Sequence, residues 1–187
     1  NGTQIMASLG TLAILRGERL LASATAVAAL SCCALAARRA PFAHQIHDAR
    51  PHPGQRAIAA EIRDLLAPVP DSPTLTGRIQ DPYSLRCIPQ VYGAIRDMLR
   101  PLRETLEIEI NAVTDNPLIF GDTLLSGGNF HGHPLALTLD AAKTALASLG
   151  TMVERRIALL VDSEERGLPA CLTRHPGLSS GYMIAHY

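Results

Sequence analysis

Within the octapeptide Gln80-Asp81-Pro82-Tyr83-Ser84-Leu85-Arg86-Cys87 the chain gathers an amide, a carboxylate, a phenol and a guanidinium. If a helix opens here, Tyr83 and Arg86 are three residues apart and share a face. A guanidinium in that place offers a planar, two-pronged donor matched to a carboxylate, and a neighbouring phenol can donate or accept a proton. The Gln80 amide adds a further polar group. This set suits recognition of a small carboxylic acid. It equally suits a surface arginine beside an Asp81 that caps the helix, and the residues alone leave both readings open.

Other candidate clusters carry less. His131-x-His133 and His44-x-x-His47 lack the carboxylate or third histidine that a catalytic zinc requires, so no metal site is expected. The acidic run Asp162-Ser163-Glu164-Glu165 reads as a solvated helix end. Gly127-Gly128 is followed by Asn129 rather than by a phosphate-binding lysine, and neither a dinucleotide fingerprint nor a GxSxG elbow is present. Cys32, Cys33, Cys87 and Cys171 form no CxxC and read as reduced, mostly buried residues of a cytoplasmic protein.

The elements that must hold these residues are helices. Ile88, Tyr92, Ile95, Leu99, Leu102 and Leu106 step by four and three, one stripe of a helix that starts with Pro89 in its first turn and should bend at Pro101. Leu135, Leu139, Ala142, Leu146, Leu149 and Val153 repeat the pattern and continue to Ile157 and Leu160. A first helix is expected from about Thr3 to Arg39 with a break near Gly17, and a short one from Pro53 to Leu66. Alternating strand patterns of useful length are missing. The fold class is therefore all-α, with long antiparallel helices in a bundle and more apolar stripe than one chain can cover. Polar connections fall at Ala40–His52, Ala67–Tyr83, Asp115–His133 and Asp162–Ser180. The last three are long enough to be functional.

Composition narrows the partners. The 187 residues are 47% hydrophobic and 18% charged, with 17 basic against 17 acidic side chains. That balance, with 4% aromatics and no Trp, argues against nucleic acid. The uncharged run Leu20–Ala37 is rich in Ala, Ser, Thr and Cys, and reads as a helix buried on all sides rather than a membrane span. The chain opens Asn1-Gly2-Thr3 without Met or a basic leader, so it reads as processed or as a piece of something longer.

The segment QDPYSLRCIPQVYGAIRD resembles the signature of the aromatic amino acid ammonia-lyase family. In the family's order follow or precede it NGTQ at Asn1–Gln4, NAVTDNPL at Asn111–Leu118, SGGNFHG at Ser126–Gly132, ERRIALLVD at Glu154–Asp162, and GLPACL and SGYMIA near the end. The resemblance covers essentially the whole chain, and SGGNFHG and ERRIALL are most similar to the histidine-acting members.

The resemblance implies an all-α homotetramer, with each site built from more than one subunit. It implies an electrophilic 4-methylideneimidazol-5-one made from an internal Ala-Ser-Gly, and elimination of ammonia from L-histidine to give trans-urocanate. Carried over by position, Asn1 and Tyr83 are catalytic. Arg86 clamps the substrate carboxylate, Gln80 supplies a pocket amide, and Phe130 packs near the prosthetic group. Without the resemblance, Asn1 reads as a helix N-cap and Phe130 as a loop anchor. Asn116-Pro117 reads as a turn. No Ala-Ser-Gly occurs in this sequence, since Ala22-Ser23 is followed by Ala24 and Ala147-Ser148 by Leu149. Residues 1–187 therefore read as the central helical segment of a lyase, inactive alone. The sister activities (a tyrosine or phenylalanine lyase, or an aminomutase) and a non-catalytic assembly protein are the alternatives.

Overall fold

The computed structural model describes residues 2–70, 79–162 and 164–187. Three long helices dominate: α1 (Gln4–Ala34), α5 (Ile88–Glu109) and α6 (His133–Val161). Between the first two lie α2 (His44–Asp48), α3 (Pro53–Leu66) and α4 (Tyr83–Arg86), and between the last two a hairpin of β1 (Leu118–Phe120) and β2 (Thr123–Leu125). The all-α expectation holds. Among the described residues no helix is long and apolar enough to cross a membrane.

The α5 stripe is where the spacing put it, with Ile88, Tyr92, Ile95, Leu99, Leu102 and Leu106 all buried. Pro101 lies inside the helix, which continues through it, and the Thr105 hydroxyl bonds to the Pro101 carbonyl at 3.0 Å. On α6, Leu135, Ala142 and Leu149 are buried.

Two compact groups of residues make up the chain, Asn1–Leu20 with Arg96–Ala147, and Leu21–Ile95 with Ser148–Tyr187. In the first, α1 lies against α5 and α6. Thr3 bonds to Glu109 and Arg103 pairs with Glu18 at 3.2 Å, so α1 and α5 run antiparallel. A Cβ on Gly10 would stand 3.1 Å from a Leu139 methyl, and one on Gly17 would stand 3.3 Å from a Leu146 methyl. Successive long helices thus alternate in direction. Gly17 does not break α1, because its missing side chain makes room for a leucine of α6; that packing offsets a helical cost of about 1 kcal/mol relative to Ala.

In the second group, the start of α3 packs against α5 at Gly93, where a Cβ would fall 2.3 Å from the Gln55 nitrogen. Phe42, Ile58, Ile62, Leu85, Ile88 and Tyr92 form its core.

Several expectations are corrected. Helix α1 ends at Ala34 rather than near Arg39, since the chain turns at Ala36 with φ of 46°. Its uncharged half is not buried on all sides: Leu20, Val27 and Leu30 are exposed. The connection after it holds a 3-10 turn and α2, and the connection after α6 holds 3-10 turns at Glu164–Arg166 and Ala170–Leu172. The hairpin pairs Leu118 with Leu125 and Phe120 with Thr123 around Gly121-Asp122, with Gly121 at φ of 60°. Strands of three residues are too short for alternation to register, but a Gly-Asp pair between two short runs rich in Leu, Ile, Phe and Thr is itself a hairpin signal. All four cysteines are free, and only Cys32 is buried.

Candidate active-site turn

The turn that carries Tyr83 and Arg86 is a helix of only four residues, with Pro82 at its cap position. Its backbone bonds run from the Leu85 and Arg86 amides to the Pro82 carbonyl and from the Cys87 amide to the Tyr83 carbonyl, at 3.0–3.1 Å. So short a helix is not stable in isolation and must be held by its surroundings. Leu85, fully buried, is its apolar anchor.

Tyr83 and Arg86 do share a face: the guanidinium carbon stands 4.7 Å from the centre of the Tyr83 ring. Tyr83 is 68% exposed, so it faces outward rather than filling the core. Gln80, also exposed, joins Arg86 on the wall of a cavity of about 340 Å³ whose lining also includes Arg38, Asp81, Ile46 and Gln90. The buried Arg86 Nε and Gln90 Oε1 have no hydrogen-bond partner among the described residues. An unpaired buried guanidinium N–H costs free energy, and a charged acceptor such as a carboxylate would satisfy it. Tyr83 also lines a larger open cleft of about 710 Å³ with Arg155, Asp162 and Glu165.

Asp81 does not cap α4. Its carboxylate is buried, accepting from the Arg38 backbone amide at 2.8 Å and from Arg166 Nη2 at 2.9 Å. Arg156, buried on α6, donates from Nε to the Ser84 carbonyl at 3.0 Å and from Nη2 to the Tyr92 hydroxyl at 3.1 Å. Sequence reasoning missed Arg156 and Arg166. The available signal for Arg156 was a lone charge inside the apolar stripe of Val153, Ile157 and Leu160.

Phe130, 44% exposed, sits in the loop after the hairpin. The Asn116 side-chain oxygen organises that loop, accepting from the Ser126 hydroxyl at 3.2 Å and the Gly127 amide at 2.6 Å, and the Asn116-Pro117 peptide is cis. Asn1 lies outside the described residues. Since α1 begins at Gln4, the capping position falls to Thr3 rather than Asn1.

The histidines divide between the surface and the core. His131 and His133, both exposed where the loop enters α6, meet edge to face, 5.8 Å apart. His47 is buried, with Nε2 bonded to the Pro41 carbonyl at 3.0 Å and Nδ1 to the Gln55 amide at 3.1 Å; burial, then Arg63, lowers its pKa, opposed by the Pro41 bond. Burial pushes the Cys32 thiol up to about 12. Glu154, half-exposed with Arg155 and His186 beside it, has a lowered pKa chiefly through the Arg155 hydrogen bond. The acids Asp162, Glu164 and Glu165 are exposed, as a solvated helix end requires.

An all-helical protein that sets a tyrosine and an arginine together on one short turn is the class that fold and site define. Residues 1–187 match the model of one such family, aromatic amino acid lyase, and the chain belongs to it. It is 46% identical over 189 residues to histidine ammonia-lyase of Myxococcus xanthus, covering 99% of this chain and 37% of that protein. Crystallographic histidine ammonia-lyase from Trypanosoma cruzi superposes with a TM-score of 0.88 at 39% identity, covering 100% of this chain and 35% of that one. Tyrosine aminomutase from Streptomyces globisporus gives 0.87 at 37% identity, covering 100% and 40%. The chain thus spans little more than a third of the curated relative's length.

Proposed function

We propose that these residues are the central helical segment of a cytoplasmic histidine ammonia-lyase, a homotetramer that eliminates ammonia from L-histidine to give trans-urocanate. The observation that carries this reading is the Arg86 guanidinium, stacked on Tyr83 and beside Gln80, with a buried N–H that awaits an acceptor. The similarity to histidine ammonia-lyases points the choice of amino acid toward histidine.

In the reaction the β C–H and α C–N bonds break, a double bond forms between the two carbons, and ammonia leaves. The β-proton is weakly acidic, so the reaction demands stabilised charge and a better leaving group. A bound 4-methylideneimidazol-5-one would supply the electrophilic carbon that activates the amine. Arg86 holds the substrate carboxylate and orients the amino acid, with Gln80 as a second polar support. The exposed Tyr83 phenol offers a proton-transfer group of the right chemistry beside that carboxylate. Phe130 is the residue of this chain that the family pattern sets against the ring of the prosthetic group, and Asn1 completes the polar set. An exposed phenol and a half-exposed aromatic, neither consumed by the core, are compatible with such a neighbour.

The test is turnover by the complete protein containing this segment, assayed with L-His, L-Tyr and L-Phe. Urocanate from L-His alone supports the reading; cinnamate, coumarate or a β-amino acid instead would assign a sister activity. Arg86→Ala should lower kcat/KM by about 10- to 150-fold, the loss of a charge-assisted hydrogen bond worth about 1.5–3 kcal/mol. The 187-residue chain by itself should give no urocanate.

A further inference from the structure

Two buried arginines converge on the turn that carries Tyr83 and Arg86, and neither faces the carboxylate cavity. Arg166 has a fully buried side chain and Asp81 one that is 2% exposed. Arg166 spans two acceptors, Asp81 at 2.9 Å and the Leu35 carbonyl at 2.7 Å, while the other oxygen of Asp81 takes the Arg38 amide. Arg156 takes the Ser84 carbonyl and the Tyr92 hydroxyl. Only Pro82 and Tyr83 lie between the two anchored residues, and Pro82 is rigid at φ of −58°.

We propose that Arg166, through Asp81, and Arg156, through the Ser84 carbonyl, are positioning residues that set where Tyr83 and Arg86 stand. A buried ion pair contributes little net stability compared with a well-packed apolar substitute, whereas it fixes geometry through directional bonds. Here both ends of the Pro82-Tyr83 dipeptide are fixed, and a four-residue helix, anchored otherwise by the buried Leu85, depends on such contacts for its placement. A lysine at either position keeps the charge but lacks the fork that spans two acceptors.

This proposal rests on the reading of Arg86 as a carboxylate clamp, and the experiment separates the two. In the complete protein, Arg166→Met, Arg166→Lys and Arg156→Met are compared with the parent for KM, kcat and amide hydrogen exchange. Displacing the clamp should raise KM for the amino acid about tenfold or more, whereas a partly unfolded population lowers kcat and leaves KM unchanged. Exchange at the Leu85, Arg86 and Cys87 amides should quicken at least tenfold while α3 is unaffected. A KM equal to the parent's in folded variants, or exchange that rises equally throughout, overturns the proposal. If Arg166→Met does not fold, Arg166→Lys decides by the same readouts. A parent protein inactive on every amino acid would sink the lyase reading, and the exchange pattern would still decide the tether.

Discussion

Both ring nitrogens of His47 are engaged inside the fold, one donating to a carbonyl and one accepting from an amide, an arrangement that only the neutral imidazole can make. Its folded pKa is lowered by burial, so the unfolded chain takes up a proton first, near the usual value of 6.5. The stabilisation is therefore complete above about pH 6.5 and declines as pH falls through that value toward the folded pKa. Denaturant melts between pH 7.5 and 5 should show stability dropping with acid, and His47→Gln should flatten that slope; an equal slope would refute the assignment. The same scale shows how far residue patterns reach. Tyr83 and Arg86 were legible because a spacing of three is a local statement about one turn. Asp81 was not, because a lone acid before a helix start looks identical whether it caps the helix or faces an arginine 85 residues on.

Among the elements, α3 and α5 are joined by an absence. Gly93 admits the backbone of Gln55 so closely that a methyl group there would lie 2.4 Å from the Gln55 Cα. Backbone cannot step aside as a side-chain tip can, so Gly93→Ala should cost about 1–3 kcal/mol or more, despite alanine's better helix propensity. Thermal melts check the sign, and a stabilised variant would contradict the packing. The six-residue stripe of α5 was readable from its period because a helix 22 residues long repeats the signal several times. The hairpin's strands, only three residues each, offer no repeat to read. The expected break at Gly17 failed for a related reason: glycine spacing reports close approach as readily as it reports a helix end.

For the whole molecule, the unburied surface is the prominent quantity. Along α1 alone Ile5, Leu9, Leu12, Leu20, Val27 and Leu30 are each more than half exposed, an apolar seam left uncovered. Such a seam calls for another helical surface. Light scattering at micromolar concentration should find the chain associated; a clean monomer would count against the tetrameric reading. Fold class and family were legible here because two of the three long helices carry their own period and the motifs run in order along nearly the whole chain. What remained hidden was how distant segments meet.

Those distant meetings also set an order in time. The Ser84 carbonyl waits for an arginine 72 residues later, and Asp81 for one 85 residues later. At a synthesis rate of about 5–20 residues per second, roughly 4–17 s pass before Arg166 exists to take hold of Asp81. On the ribosome, the turn at Tyr83–Arg86 cannot complete these two contacts until long after the helices on either side of it have been made.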